Sequence, residues 1–227
     1  MNKFWKLLLV ACSMGMVNSS AQALEKVSIV HFSPPSLGAF MPPIIKAQKF
    51  DEKNGLLIDY HPLPPSAYIS AFNSGQYQVS SSAAAMTVGL ADTRGVDIVN
   101  LFNVFDFWCA VVTSDPNIKT VKDLEGRNIA AARGTISYLM FEWLAKHQGV
   151  DINKISVINT ATPGLVGYAM AERASAVQLW EPAYTILKAR KPGIKTLDLK
   201  LAETWKSFTQ SSIIPYQGVA AHRKWVE

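Results

Sequence analysis

The chain has 227 residues, 49% of them hydrophobic and 17% charged, with a formal charge of +5. That length suits one large domain or two lobes of about 100 residues each. Beyond the N-terminus no stretch is long and apolar enough to cross a bilayer, and the basic residues are scattered, so the mild positive balance draws small anions without indicating a nucleic-acid partner.

The first 23 residues read as an export signal. Lys3 and Lys6 form a basic start, residues 7–17 are mostly apolar, and Ala21-Gln22-Ala23 is an A-x-A cleavage site, leaving a chain that begins at Leu24. Leu9-Val10-Ala11-Cys12 offers a competing reading, a lipoprotein box with an acylated Cys12. Against it, the apolar run between Lys6 and Cys12 is shorter than such a region needs. Cys109 is then the only cysteine of the exported chain, which excludes an internal disulfide. It sits in the apolar run 105–112 and reads as a small buried hydrophobe.

In chain order, alternating apolar residues predict a first strand over residues 25–32. The loop Ser33-Pro34-Pro35-Ser36-Leu37-Gly38 follows at its carboxyl end. A helix is expected over 39–50, with Pro42-Pro43 in its first turn. A second strand over 55–60 leads to a rigid turn at Pro62 to Pro65. A short helix over 66–74 brings Tyr68 and Phe72 one turn apart. A third strand over 76–80 is followed by Ser81-Ser82, read as opening a helix over 83–93. A fourth strand is expected over 96–104 and an apolar run over 107–113. Downstream, strands are predicted at 154–159, 176–179, 195–199 and 213–221, with helices at 165–173 and 183–190, while 205–212 is ambiguous. Strands alternating with helices indicate a mostly parallel α/β sheet system.

The chain centres on residues 128–149. Asn128-Ile129-Ala130-Ala131-Ala132 predicts a buried strand. Arg133-Gly134-Thr135 turns the chain, Thr135 caps the next helix, and Ser137 lies in its first turn. Met140, Trp143, Leu144 and His147 share one face of that helix, and Gly149 ends it. A glycine turn opening a helix at a strand's carboxyl end presents free N–H groups and a positive dipole end, which suits an anionic or polar head. An ordinary βα connection accounts for the same pattern.

Four stretches together resemble the periplasmic substrate-binding proteins of ABC importers for sulfonates, taurine, nitrate and the thiamine pyrimidine precursor. They are the first strand with its Ser-Pro loop and the helix reaching Gly55-Leu56; Ser81-Ser82-Ala83-Ala84; Thr120-Val121-Lys122-Asp123-Leu124-Glu125-Gly126-Arg127 running through Gly134-Thr135-Ile136-Ser137; and Val177-Gln178-Leu179-Trp180-Glu181-Pro182. The resemblance implies a two-lobed α/β fold, the type 2 periplasmic-binding fold. Its mostly parallel sheets are flanked by helices and joined by a hinge of two crossing segments. Residues 24–110 with 214–227 make the first lobe and 111–213 the second. It implies a small-molecule ligand in the cleft, an ABC importer's membrane subunits as partners, a monomer, and neither cofactor nor metal. The chain departs from the family at Ser175 and at Gln76-Tyr77-Gln78, where acidic residues are common. It also stops at Glu227, before the helices with which the family usually continues, and so reads either as a fragment or as a shortened member with an exposed apolar face on the first lobe.

The ligand-binding residues expected on these grounds are Ser33, Ser36, Ser82, Trp108, Gly134, Thr135, Ser137, Trp180 and Glu181. Glu181 reads equally as a cleft carboxylate or as the cap of a helix starting near Pro182. Trp108 and Trp180 would stack on a ligand or fill core. Hydrolase and metal motifs are absent: there is no G-x-S-x-G, no H-E-x-x-H and no paired C-x-x-C. His31, His61, His147 and His222 are widely spaced and read as packed or surface residues. Two functions remain, a non-catalytic uptake module and an enzyme on the same fold, desulfinase-like or pyrimidine-precursor-synthase-like. The enzyme relatives carry functional cysteines, and the Ser33-Pro34-Pro35-Ser36 loop has none, which favours the uptake module.

Overall fold

The structure, a computed structural model, describes residues 23–227. The signal-peptide and Cys12 expectations therefore fall on residues outside it. The elements in chain order are β1 (Glu25–Phe32), α1 (Met41–Gln48), α2 (Phe50–Lys53), β2 (Leu56–Leu63), α3 (Pro65–Asn73), β3 (Val79–Ala84), α4 (Ala85–Asp92) and β4 (Ile98–Asp106). The second half holds β5 (Ala110–Thr113), β6 (Asn128–Ala131), α5 (Ile136–His147), β7 (Ser156–Asn159), α6 (Thr162–Met170), β8 (Ala176–Leu179), α7 (Ala183–Arg190), β9 (Lys195–Thr196) and α8 (Leu201–Thr209). β10 (Pro215–His222) and α9 (Arg223–Val226) follow.

The strands form two five-stranded sheets, ordered β2-β1-β3-β10-β4 and β7-β6-β8-β5-β9. In the first, β1 pairs parallel with β2 and β3, while β10 runs antiparallel between β3 and β4. In the second, β6 pairs parallel with β7 and β8, and β5 runs antiparallel to β8 and β9. The chain passes from the first sheet to the second through residues 107–109 and returns through 210–214. The two crossings are bonded to each other, Phe107 N donating to Ile214 O at 2.7 Å.

Each sheet carries its own core. Val30, Tyr68, Phe72, Ala83, Ala91, Ile98 and Ala220 cluster on one face of the first sheet, under α3 and α4. The second sheet buries one set around Ile129, Phe141 and Leu144 and another around Leu165, Leu179 and Leu187. Burying such aliphatic and aromatic side chains contributes roughly 1.5–3 kcal/mol each before entropy is counted.

Several sequence expectations shift. Ser81 and Ser82 do not open a helix: both lie in β3, which begins at Val79 rather than Gln76. Small hydroxyls are locally neutral, and burial between β1 and β10 makes this segment a strand. Pro62 is not in a turn but in β2, the edge strand of its sheet, where a missing N–H costs no ladder bond on the open side. The helix expected over 39–50 is a 3-10 turn followed by α1 and α2, parted by Lys49 in the left-handed region at φ 52. Thr162 and Pro163 begin α6 rather than preceding it. The strand expected over 195–199 is the two-residue β9, and the ambiguous 205–212 stretch lies mostly in α8. The buried face of α5 is rotated from the expected one: Tyr138, Phe141 and Ala145 join Met140 and Leu144, while Trp143 and His147 lie at the margin under α8.

Candidate functional site

The candidate site residues lie on turns at the ends of strands from both sheets. On the first-sheet side, β1 ends in Ser33–Gly38. Ser36 Oγ accepts from Ala39 N at 3.3 Å and donates to Phe32 O at 3.3 Å, capping the 3-10 turn. Ser33 is partly exposed, and its N–H donates to Leu63 O. Gly38 packs so closely that a Cβ there would run into Ser82 Oγ and Gln217 Nε2. Ser82 is 0% exposed, and its Oγ accepts from Phe32 N at 3.0 Å. It therefore supports the Ser33–Gly38 loop from behind, with Gly38 packed directly against it. Buried beside it, the Gln217 side-chain amide has no hydrogen-bond partner on its nitrogen.

On the second-sheet side, β6 ends at Ala132–Thr135. Thr135 caps α5 as its sequence position predicts, its Oγ accepting from Tyr138 N at 3.3 Å and donating to Ala132 O at 2.8 Å. Gly134 is exposed with ordinary φ, and nothing lies within 4 Å of where its Cβ would be. The space over the turn is open, as an approaching ligand would require. Ser137 is buried, its Oγ 3.1 Å from Tyr216 Oη and its carbonyl accepting from Gln178 Nε2 at 2.7 Å. Burial raises the Tyr216 phenol above its ordinary range, which keeps it neutral.

The two tryptophans and Glu181 form a second group. Trp108 is 40% exposed and meets Tyr184 edge-on at 5.0 Å. Trp180 packs partly against the Leu165 core. The Glu181 carboxylate turns back on α7, accepting from Thr185 N at 3.2 Å and Thr185 Oγ1 at 2.9 Å. Of its two sequence readings, the helix cap is the one realised here.

At the crossings lies a small, partly open pocket of about 20 Å³, lined by Ala84 and Met86 from the first side, Ile136 and Met140 from α5, Trp205 from α8, and Phe107, Ile214, Pro215 and Tyr216. Its lining is almost wholly apolar. None of the nine expected residues lines it, although Ser137 borders it through Ile136 and Tyr216. The missed signal is in the β10 sequence: Tyr216 and Gln217 place polar atoms beside an otherwise apolar return segment.

Among the described residues, no group of three or more His, Cys, Asp or Glu side chains is placed to hold a metal ion. Cys109 is buried, and burial pushes its thiol up to about 12. His31 is packed, edge-on to Tyr60 at 5.8 Å.

Residues 44–223 match the family model described as NMT1/THI5 like. The chain belongs to that family. Solved structures share its fold. The periplasmic aliphatic sulphonate-binding protein of Escherichia coli aligns at 19% identity with a TM-score of 0.67, over 89% of this chain and 63% of that one. The alkanesulfonate-binding protein of Xanthomonas axonopodis pv. citri, bound to MOPS, gives 17% identity and a TM-score of 0.63, over 90% and 67%. An ancestral arginine-binding protein bound to arginine gives 17% and 0.58, over 88% and 86%. This chain thus spans about 63% of the length of the Escherichia coli sulphonate-binding structure. No curated protein matches it. The family member has the two-lobed periplasmic-binding fold that the sequence motifs implied.

Proposed function

We propose that this protein is an extracytoplasmic solute-binding protein, which captures a small organic or anionic solute between its lobes and delivers it to an ABC importer's membrane subunits. The observation that carries this reading is the pocket at the crossings, to which both lobes and both crossing segments contribute. The proposed lobes are residues 24–110 with 214–227, and 111–213. Closure about the crossings buries the solute, and the closed form is what the importer would recognise. Gly134 and Thr135 would hold a polar head through α5's first N–H groups, with Ser33 and Ser36 opposite. Ser82 would contribute by supporting that loop, and Ser137 from beside the pocket. Trp108, Trp180 and Glu181 would close the outer side.

Sulfonates head the candidate solutes because two of the aligned structures bind them by name. Taurine, nitrate and a thiamine pyrimidine precursor follow from the family resemblance. Export through the N-terminal signal, a periplasmic location and a monomeric state complete the reading. Among the described residues, no helix is long and apolar enough to cross a membrane. Against the enzyme alternative stands the chemistry of the first loop. Ser33-Pro34-Pro35-Ser36 offers no thiolate, and Cys109 is buried with its thiol held neutral.

The test is a thermal-shift panel of sulfonates, taurine, nitrate, bicarbonate and pyrimidines. A solute at a hundred times its Kd stabilises the folded state by about 2.7 kcal/mol, which raises Tm by roughly 5–10 °C for a chain of this size. Turnover of a sulfinate or of a pyrimidine precursor by the purified protein, without any such shift, would overturn the reading.

A further inference from the structure

Ser137 opens α5 against the second sheet, and Tyr216 stands in β10 of the first. Their hydroxyl oxygens are 3.1 Å apart. Outside the crossings, and among the described residues, this is the only hydrogen bond or ion pair between side chains of elements built on different sheets. Beside it, Ala84 and Met86 face Ile136 and Met140 across the apolar pocket. Apolar contact is non-directional and tolerates sliding. A hydroxyl pair is directional and favours one relative placement.

Ser137 is anchored within the second sheet, and Tyr216 is tied to the first sheet by its backbone. Gln178 of β8, itself 0% exposed, donates to the Ser137 carbonyl at 2.7 Å. Tyr216 N donates to Asn103 Oδ1 of β4 at 3.1 Å, while its ring meets Phe107 of the crossing edge-on at 5.3 Å and packs against the second-sheet core. Rotation of the sheets about residues 107–109 and 210–214 would draw the Tyr216 side chain off Ser137 and off the second-sheet core.

We infer that the Ser137–Tyr216 hydroxyl pair is the latch that sets the closed placement of the two lobes, and that Tyr216 is thereby a positioning residue for solute binding. Only the affinity consequence rests on the solute-binding reading. The placement of the lobes is a property of the free protein. One neutral hydrogen bond weights the closed over the open arrangement about fivefold. A solute that binds the closed form gains the same factor.

The test places spin labels on Lys53→Cys in α2 and Asn153→Cys near β7, both exposed, in the full chain carrying Cys12→Ser. Cys109 is buried and does not compete for label. Electron–electron distance distributions are then read without solute. Tyr216→Phe keeps the ring against Phe107, and Ser137→Ala removes the partner. Each should raise the open-to-closed ratio about fivefold, and the double variant should go no further. Ser137→Thr, which keeps a hydroxyl, should restore the wild-type distribution. Tyr184→Phe is the control, because it loses a hydroxyl contact to Thr196 that lies wholly within the second lobe, and it should change nothing. With ethanesulfonate as probe, Tyr216→Phe should raise Kd by up to about fivefold, with Tm lowered by no more than about 4 °C. Superimposable distributions for Tyr216→Phe and wild type, or additive effects of Tyr216→Phe and Ser137→Ala, would overturn the latch. Failure of ethanesulfonate to bind wild type would count against that solute, and the distance measurement would still decide the latch.

Discussion

Gly38→Ala tests how the Ser33–Gly38 loop is held against β3. Gly38 has an ordinary φ, so the substitution meets no backbone penalty, only a steric one. The new methyl group would overlap Ser82 Oγ and press on Gln217 Nε2. The Gln217 amide nitrogen has no partner and can yield. Ser82 Oγ cannot move freely, because it satisfies Phe32 N at 3.0 Å inside a fully buried strand. Displacing it adds the cost of an unpaired buried N–H, about 1–3 kcal/mol, to a comparable overpacking strain. A total near 3 kcal/mol lowers Tm by roughly 6–12 °C for a chain of this size. Melting followed by circular dichroism reads this directly. Ser82→Ala removes the obstructing oxygen, so Gly38→Ala with Ser82→Ala should cost clearly less than the sum of the two single changes. A Gly38→Ala protein melting within about 2 °C of wild type would refute the argument, since the expected loss is several times larger.

Gly134→Val projects into open space at an ordinary φ. Its Tm should therefore stay within about 2 °C of wild type, while calorimetric titration with the solute found in the panel should show binding abolished. Thr135→Ala deletes both bonds of the α5 cap; it should cost about 1 kcal/mol and lower Tm by roughly 2–4 °C, with a separate loss of affinity if the hydroxyl also serves the solute. Cys109 should resist maleimide at pH 8 in the native protein and react once the protein is unfolded in guanidinium. Its thiol is held up to about 12 by burial and titrates lower in the unfolded chain. The unfolded state therefore binds fewer protons above the free thiol's range, and this group's contribution to stability falls as pH rises from about 9 toward 12.

The second sheet was largely legible in the sequence. Ala176–Leu179 and Ala183–Arg190 match the expected strand and helix, and Thr135 caps α5 as its position indicated. These are short apolar runs bounded by turn residues, where local preference and burial agree. The first sheet was harder to read because its third strand is written in serines. Val79-Ser80-Ser81-Ser82-Ala83-Ala84 carries no strand propensity of its own and is a strand because β1 and β10 flank it. The same serines misplaced part of the site. Ser82 reads as a helix-start hydroxyl free for a ligand, yet the 50-residue separation from Phe32 hides the bond that occupies it. The pocket was illegible for a related reason. Met86, Met140, Trp205 and Tyr216 look like core residues when taken singly, and only the crossing of the chain brings them to one place.

The place of β10 has a consequence for how the chain acquires its structure. β4 touches the rest of its sheet only through β10, which the chain supplies after every strand of the second sheet. The second sheet draws all its strands from one continuous stretch, Ala110 to Thr196. The first must wait for a partner far along the sequence. Loop closure of that span is entropically slow, and long-range pairing lowers folding rate. Pulse-labelled hydrogen exchange during refolding should therefore protect β6 and β8 before β4. Until β10 docks, Leu101, Phe102 and Val104 lie on an unpaired strand, which makes the interval before docking the time when chains are most prone to join edge to edge.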